Sequence, residues 1–232
     1  MGETVEFPSN GSTASGYLAT PSSGSGPGVI VIQEWWGLVP QIKQQCEEFA
    51  AEGLVALAPD LYHGEVAQHE EPDAQKAQQL MESMPPDRVA RDMRGAVDYL
   101  LGLDSVQGEK VGVVGFCMGG MLTWVLASLH ADKVGAAVPY YGAPLGDDAP
   151  DVSRLKAPIL GHFAENDDFF SPDAVREFIE NMRRDGKDIE AHFYPGTGHG
   201  FTNETNALGT YDPHAKQQAW TRTLAFLRKH LA

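Results

Sequence analysis

The sequence predicts an α/β fold, with a mostly parallel central sheet and helices on both faces. Three observations lead there. Strand-like and helix-like segments alternate along the chain. The strand-like segments include continuous apolar runs such as Val29-Ile-Val-Ile32, as expected of strands buried on both faces. The chain has 232 residues, 42% of them hydrophobic, a size and composition that suit one α/β domain over 1–232 with a sizeable core.

Two short strands are expected to open the chain, near Val5 and over Tyr17–Ala19. The stretch Pro21-Ser-Ser-Gly-Ser-Gly-Pro-Gly28 has linker composition but comes too early to join two domains, so it reads as a surface loop before the strand Val29–Ile32. A helix begins near Pro40, carries Ile42, Cys46, Phe49 and Ala50 at helical spacing, and stops at Gly53. Leu54–Ala58 is the next strand, followed by helices over 73–84 and 86–102. The second of these places Val89, Met93, Val97 and Leu100 on one face. Further strands are expected over Lys110–Val114, Val134–Tyr140, Pro158–Phe163 and Ile189–Tyr194. Helices are expected from Cys117 to about His130, near 172–186 and over 213–230.

The segment Val111-Gly-Val-Val-Gly-Phe-Cys-Met-Gly-Gly120 is the most informative. A buried strand ends in Gly-x-Cys-x-Gly and runs directly into a helix. This is the nucleophile elbow of the α/β-hydrolase fold, with Cys117 where serine is usual. Gly115 and Gly119 leave room for the sharp turn. The thiol then projects at the head of a helix, where backbone N–H groups favour a thiolate and a developing oxyanion.

In this fold a carboxylic acid and a histidine follow the nucleophile along the chain. His199 lies after the last predicted strand, in Pro195-Gly-Thr-Gly-His-Gly-Phe201, a glycine-flanked loop able to bring an imidazole over the carboxyl edge of the sheet. His63, His69, His130, His214 and His230 lie in loop or exposed-helix contexts, and His162 and His192 within strands. The acid should follow the preceding strand, where Glu165, Asp167 and Asp168 are candidates that spacing alone does not separate. No HExxH or EF-hand spacing accompanies the acidic cluster, so no metal and no cofactor are expected.

With these residues assembled, the chain resembles the dienelactone hydrolase family, the carboxymethylenebutenolidases, over nearly its whole length. The segments that carry the resemblance are Gln33-Glu-Trp-Trp-Gly37, Ala58-Pro-Asp-Leu-Tyr62, Gly115-Phe-Cys-Met-Gly-Gly120, Tyr140-Tyr-Gly142, Glu165-Asn-Asp167 and Gly198-His-Gly-Phe201. The resemblance implies cleavage of an ester or lactone through Cys117, His199 and Asp167, the acid falling at Asp167 because Ala164–Asp167 overlays the family's Gly-Glu-x-Asp pattern. It also implies that Glu34 is a catalytic auxiliary. Following a buried strand, its carboxylate should approach the thiol and disfavour the thiolate until substrate binds. The oxyanion hole is expected at the backbone N–H groups of Met118 and Trp35. Trp35, Trp36, Tyr140, Tyr141 and Phe201 are expected around an apolar substrate pocket. The chain departs from the family where arginines hold a substrate carboxylate. After His199 it reads Gly-Phe-Thr-Asn-Glu-Thr-Asn206, with no cation before Lys216. The region before the long helix offers Lys76 beside Glu70, Glu71 and Asp73, with Arg88 and Arg91 later. Neutral esters or lactones are therefore expected to match or beat carboxylated ones.

Composition narrows the partners. A formal net charge of −15 argues against nucleic acid, and the absence of a run of about 18 apolar residues argues against a membrane span. The start, Met1-Gly-Glu-Thr-Val-Glu6, has no basic-then-apolar leader and no myristoylation pattern, so a cytoplasmic monomer or weak homodimer acting on a small ester or lactone is expected. Of the two cysteines, Cys46 reads as a small core residue and Cys117 as the reactive one. The alternative is a non-catalytic module of the same fold that binds a ligand or senses oxidants through Cys117. A product burst from an activated ester, lost on thiol alkylation, separates the two.

Overall fold

The structure, a computed structural model, describes residues 2–9, 11–67, 72–146 and 149–231. His69, Glu70 and Glu71 lie outside the described residues. Among the described residues eight strands form one sheet: β1 (Glu3–Ser9), β2 (Ser12–Ala19), β3 (Gly26–Ile32), β4 (Val55–Pro59), β5 (Val106–Phe116), β6 (Val134–Tyr140), β7 (Ile159–Asn166) and β8 (Ile189–Gly198). Six helices among the same residues accompany them: α1 (Pro40–Ala51), α2 (Ala74–Ser83), α3 (Pro86–Leu101), α4 (Met118–Leu129), α5 (Pro172–Arg184) and α6 (Pro213–Leu231). The strand order is β1-β2-β4-β3-β5-β6-β7-β8, with β1, β2 and β4 joined antiparallel and β4 through β8 parallel.

The pleat of the central strands explains the two layers. In β3, Ile30 and Ile32 face one core while Val29 and Val31 face the other; in β5, Val111 and Val113 oppose Val114 and Phe116. The first core is closed by α3, α4 and α5 through Met93, Leu122 and Ile179, and the second by α1 and α6 through Phe49, Cys46 and Leu227. Cys46 is fully buried there, and burial raises its thiol pKa.

The predicted elements are all present, but several strands run longer than their apolar centres. β5 begins at Val106, paired with Gly26 of β3, and not at Lys110 as expected, since the exposed residues Gln107–Lys110 carry no hydrophobic signal. β3 begins at Gly26, inside the stretch expected to be loop, with a register shift between Pro27 and Val29. One buried charge went unrecognised. Asp92 sits on the same face of α3 as Val89 and Met93, accepts a hydrogen bond from Ser9 Oγ, and pairs with His63 Nε2 at 2.7 Å. Burying a carboxylate requires such partners.

Topology fixes where a site can form. From β3 the chain moves to β4 on one side and then to β5 on the other. The carboxyl ends of β3 and β5 therefore flank the switch point, where open α/β sheets leave a crevice. Glu34 follows β3 and Cys117 follows β5.

Candidate active site

Cys117 joins β5 to α4 with φ 57° and ψ −118°, a left-handed conformation that costs a non-glycine residue of order 1–3 kcal/mol. The surrounding packing holds it there. A Cβ at Gly115 would run into the carbonyl of Gly119, and one at Gly119 into the carbonyls of Ile32 and Gln33. The elbow is thus wedged between strand and helix, and Cys117 stays half-buried at the cavity wall.

His199 lies in the turn after β8, buried, with Nδ1 2.9 Å from Asp167 Oδ2. Asp167 follows β7 and is buried too. Its Oδ1 accepts the N–H groups of Phe169 and Phe170, both at 2.8 Å. The two other acidic candidates lie elsewhere: Asp168 and Glu165 are exposed, and Glu165 faces Arg176 at 4.0 Å. With Nδ1 engaged, His199 Nε2 is buried without a hydrogen-bond partner and borders Cys117. Burial works against the imidazolium, but Asp167 and then Cys117 outweigh it and raise the imidazole pKa to about 10.

Glu34 is buried against the same site. Its Oε1 accepts from the Tyr141 hydroxyl at 3.0 Å and its Oε2 from Asn203 Nδ2 at 2.6 Å. Tyr141 OH in turn accepts from Thr202 Oγ1 at 2.9 Å. Burial raises the Glu34 pKa, opposed by the Tyr141 hydrogen bond, the His199 charge and the Asn203 hydrogen bond. Tyr141 is itself fixed, its N–H bonded to the carbonyl of His162, a buried imidazole whose pKa burial drives well below its usual value.

Glu34, Trp35, Trp36, Cys117, Met118 and His199 all line one cavity of about 450 Å³. Met118 is the first residue of α4 and Trp35 follows the β3 end, so both sit where backbone N–H groups meet the thiol's surroundings. Three expectations for the pocket wall need correction. Tyr140, Tyr141 and Phe201 are buried beneath it and do not line it. Tyr141 instead holds Glu34, Tyr140 OH bonds Thr223 Oγ1 at 2.7 Å, and Phe201 packs between Tyr141 and Tyr194. Their aromatic character served the layer under the site, where a phenol with a hydrogen-bond partner is at home.

Sequence reasoning missed the residues that do form the wall: Met81, Met121, Leu145, Phe169, Phe170, Asn203 and Leu208. Asn203 carried a signal, standing four residues after His199 in a loop already tied to the site. Phe169 and Phe170 directly follow the acidic cluster, and both rings pack against His199, with centroids at 4.6 and 5.8 Å. No lysine or arginine lines the cavity among the described residues. Lys76 pairs with Glu65 at 3.0 Å, and Arg91 borders a separate depression with Pro8 and Arg94. Among the described residues no group of three or more His, Cys, Asp or Glu side chains could hold a metal ion. No described helix is long and apolar enough to cross a membrane.

A mostly parallel sheet covered on both faces, with a sharp strand-to-helix turn at its switch point, is the α/β-hydrolase fold. Residues 14–231 match the model of the dienelactone hydrolase family. The chain is 41% identical to "Protein usf" of Aquifex pyrophilus and 35% identical to the "Putative carboxymethylenebutenolidase" of Aquifex aeolicus, each over the whole of both chains. A solved structure titled "Putative Dienelactone Hydrolase" from Klebsiella pneumoniae superposes with a TM-score of 0.88 at 28% identity, covering 99% of this chain and 98% of that one. The chain belongs to the dienelactone hydrolase family, whose class is hydrolysis of ester or lactone bonds.

Proposed function

We propose that this chain hydrolyses a carboxylic ester or lactone through a thioester formed on Cys117, with His199 as base and Asp167 orienting it. The observation that carries this reading is His199 itself. One ring nitrogen is bound to a buried carboxylate 2.9 Å away, and the other is unpartnered beside an elbow-held thiol at the wall of a cavity.

The chemistry follows from these positions. His199 Nε2 takes the thiol proton, and Asp167 stabilises the resulting imidazolium. The thiolate attacks the substrate carbonyl carbon, and the oxyanion is received by the N–H groups of Met118 and Trp35. Collapse of the adduct expels the alcohol or enol oxygen, which leaves with the proton from His199. Water, deprotonated by His199, then attacks the thioester and releases the acid and Cys117. A thiolate suits esters with a good leaving group; with an amide, the thiolate leaves more readily than the unprotonated amine and attack reverses. Glu34, held by Tyr141 and Asn203, places a carboxylate at the same wall, and its negative potential works against a thiolate before substrate arrives. The protein acts as one domain, cytoplasmic and monomeric or weakly dimeric, with no cofactor.

A panel of lactones and simple esters, run with wild type and Cys117→Ala, tests the assignment. The substitution removes the nucleophile and little volume, so activity is abolished while the fold remains. Residual activity above about a hundredth of wild type would sink the nucleophile assignment.

A further inference from the structure

We propose that the cavity selects an uncharged ester or lactone bearing an extended apolar arm, and that this arm lies across Met81, Phe169 and Leu208 at the mouth. The inference rests on the hydrolase reading above and names its substrate class.

Two independent features support it. The first is the chemistry of the wall. No lysine or arginine lines the cavity among the described residues, and its one carboxylate, Glu34, already accepts a hydrogen bond at each oxygen. The amide and hydroxyl side chains of the wall are already engaged within the protein. Asn203 donates to Glu34 and accepts from the backbone and hydroxyl of Thr205, Asn206 Oδ1 accepts the N–H of Tyr211, and Thr210 donates to the carbonyl of His199. A substrate carboxylate would be stripped of water here with no guanidinium or ammonium to replace it, since the one imidazole on the wall, His199, is already paired with Asp167. The chain's net charge of −15 adds long-range repulsion. A cationic group fares no better, since no uncommitted acid faces the cavity.

The second feature is the mouth. Four large apolar side chains stand out as exposed among the described residues: Met81, Leu129, Phe169 and Leu208, at 37, 36, 55 and 39%. Three of the four ring this one cavity. Exposed apolar side chains gathered at one opening, rather than scattered, mark a surface that an apolar ligand covers. Phe169 sets one edge of the mouth against the catalytic end, its ring packed on His199 and edge-on to Trp35 at 6.1 Å. Met81, unbranched and adaptable, suits arms of varied shape.

The test measures kcat/KM of the wild-type protein on p-nitrophenyl acetate, butanoate and hexanoate. Two esters matched to hexanoate in chain length join the series, one ending in a carboxylate and one in a trimethylammonium group. With about fourfold gained per methylene covered, burying even two of the four extra methylenes should make hexanoate exceed acetate by at least about tenfold. It should exceed either charged ester by a similar factor. Leu208→Arg, and Met81→Arg on another part of the rim as a second exposed site, should each narrow the hexanoate-to-carboxylate ratio by about tenfold by supplying the missing cation. A flat chain-length series, or a charged ester equal to hexanoate, overturns this proposal while leaving the hydrolase reading intact. Loss of activity on every ester, acetate included, overturns both.

Discussion

Replacing Asp167 with asparagine changes one atom and should disable the site by a defined route. The carboxylate accepts three hydrogen bonds, from the N–H groups of Phe169 and Phe170 at Oδ1 and from His199 Nδ1 at Oδ2. An asparagine can satisfy only one arrangement. If its NH₂ faced the two backbone N–H groups, two part-buried donors would be orphaned, at about 1 kcal/mol or more each. Its carbonyl oxygen therefore takes the backbone pair, and its NH₂ donates toward His199 Nδ1. That nitrogen must then accept, which moves the imidazole proton to Nε2, the position that should receive a proton from Cys117. In serine proteases the same change costs about 10⁴ in kcat. A thiol depends less on its base than a hydroxyl does, so the expected loss is about 10²- to 10⁴-fold, or about 3–5 kcal/mol of barrier. The pH dependence of stability supplies a second readout. The His199 pKa is raised from 6.5 to about 10, so its protonated form stabilises the fold fully below about pH 6.5, and that contribution fades as pH rises through about 10. In Asp167→Asn the hydrogen bond and charge of Asp167 are gone and only Cys117 opposes burial, so the pKa falls and this loss at alkaline pH should shrink. Steady-state turnover of an activated ester, with urea midpoints at pH 6, 8 and 10, measures both. A variant within tenfold of wild-type kcat, with the same stability slope, would refute the role given to Asp167.

Glu34→Gln should let the free enzyme's thiol react with iodoacetamide from a lower pH while turnover falls, because a neighbouring negative charge is removed. An unchanged labelling profile would leave Glu34 a purely structural acceptor for Tyr141 and Asn203. Gly115→Ala should destabilise the fold by about 3 kcal/mol or more, since the new Cβ meets the backbone carbonyl of Gly119 and neither element can retreat. A urea-midpoint shift worth less than about 1 kcal/mol would contradict the close packing of the elbow.

The layered sheet was legible because its evidence is local and periodic. Val29–Ile32, Val111–Val114 and the α3 face of Val89, Met93, Val97 and Leu100 announce buried strands and a packed helix from their side chains alone. Strand ends such as Gln107–Lys110 were not legible, because an exposed paired segment has backbone bonds but no hydrophobic mark. At the site, the residues set by backbone geometry could be read. The elbow needs glycines at fixed offsets from Cys117, and the loop around His199 is flanked by them. Spacing leaves Asp167 and Asp168 equivalent and the family pattern alone favours Asp167; the fold turns Asp167 inward to His199 and Asp168 to solvent. Pocket lining was the least legible part. It depends on which side chains converge from distant segments, so Tyr141 and Phe201 went under the wall while Met81, Phe169 and Leu208 came to its mouth. Asp92 shows the same blindness in reverse. Its partners Ser9 and His63 lie 83 and 29 residues away, and no spacing rule joins them.

The most direct test of the account is to trap the acyl-enzyme. Rapid acid quench of wild-type protein turning over an activated neutral ester, followed by proteolysis and mass spectrometry, should find the acyl mass on the peptide containing Cys117. The adduct should accumulate in a burst and be absent from Cys117→Ala. An acyl group on any other residue, or full turnover in Cys117→Ala with no adduct, would contradict thioester chemistry at the elbow.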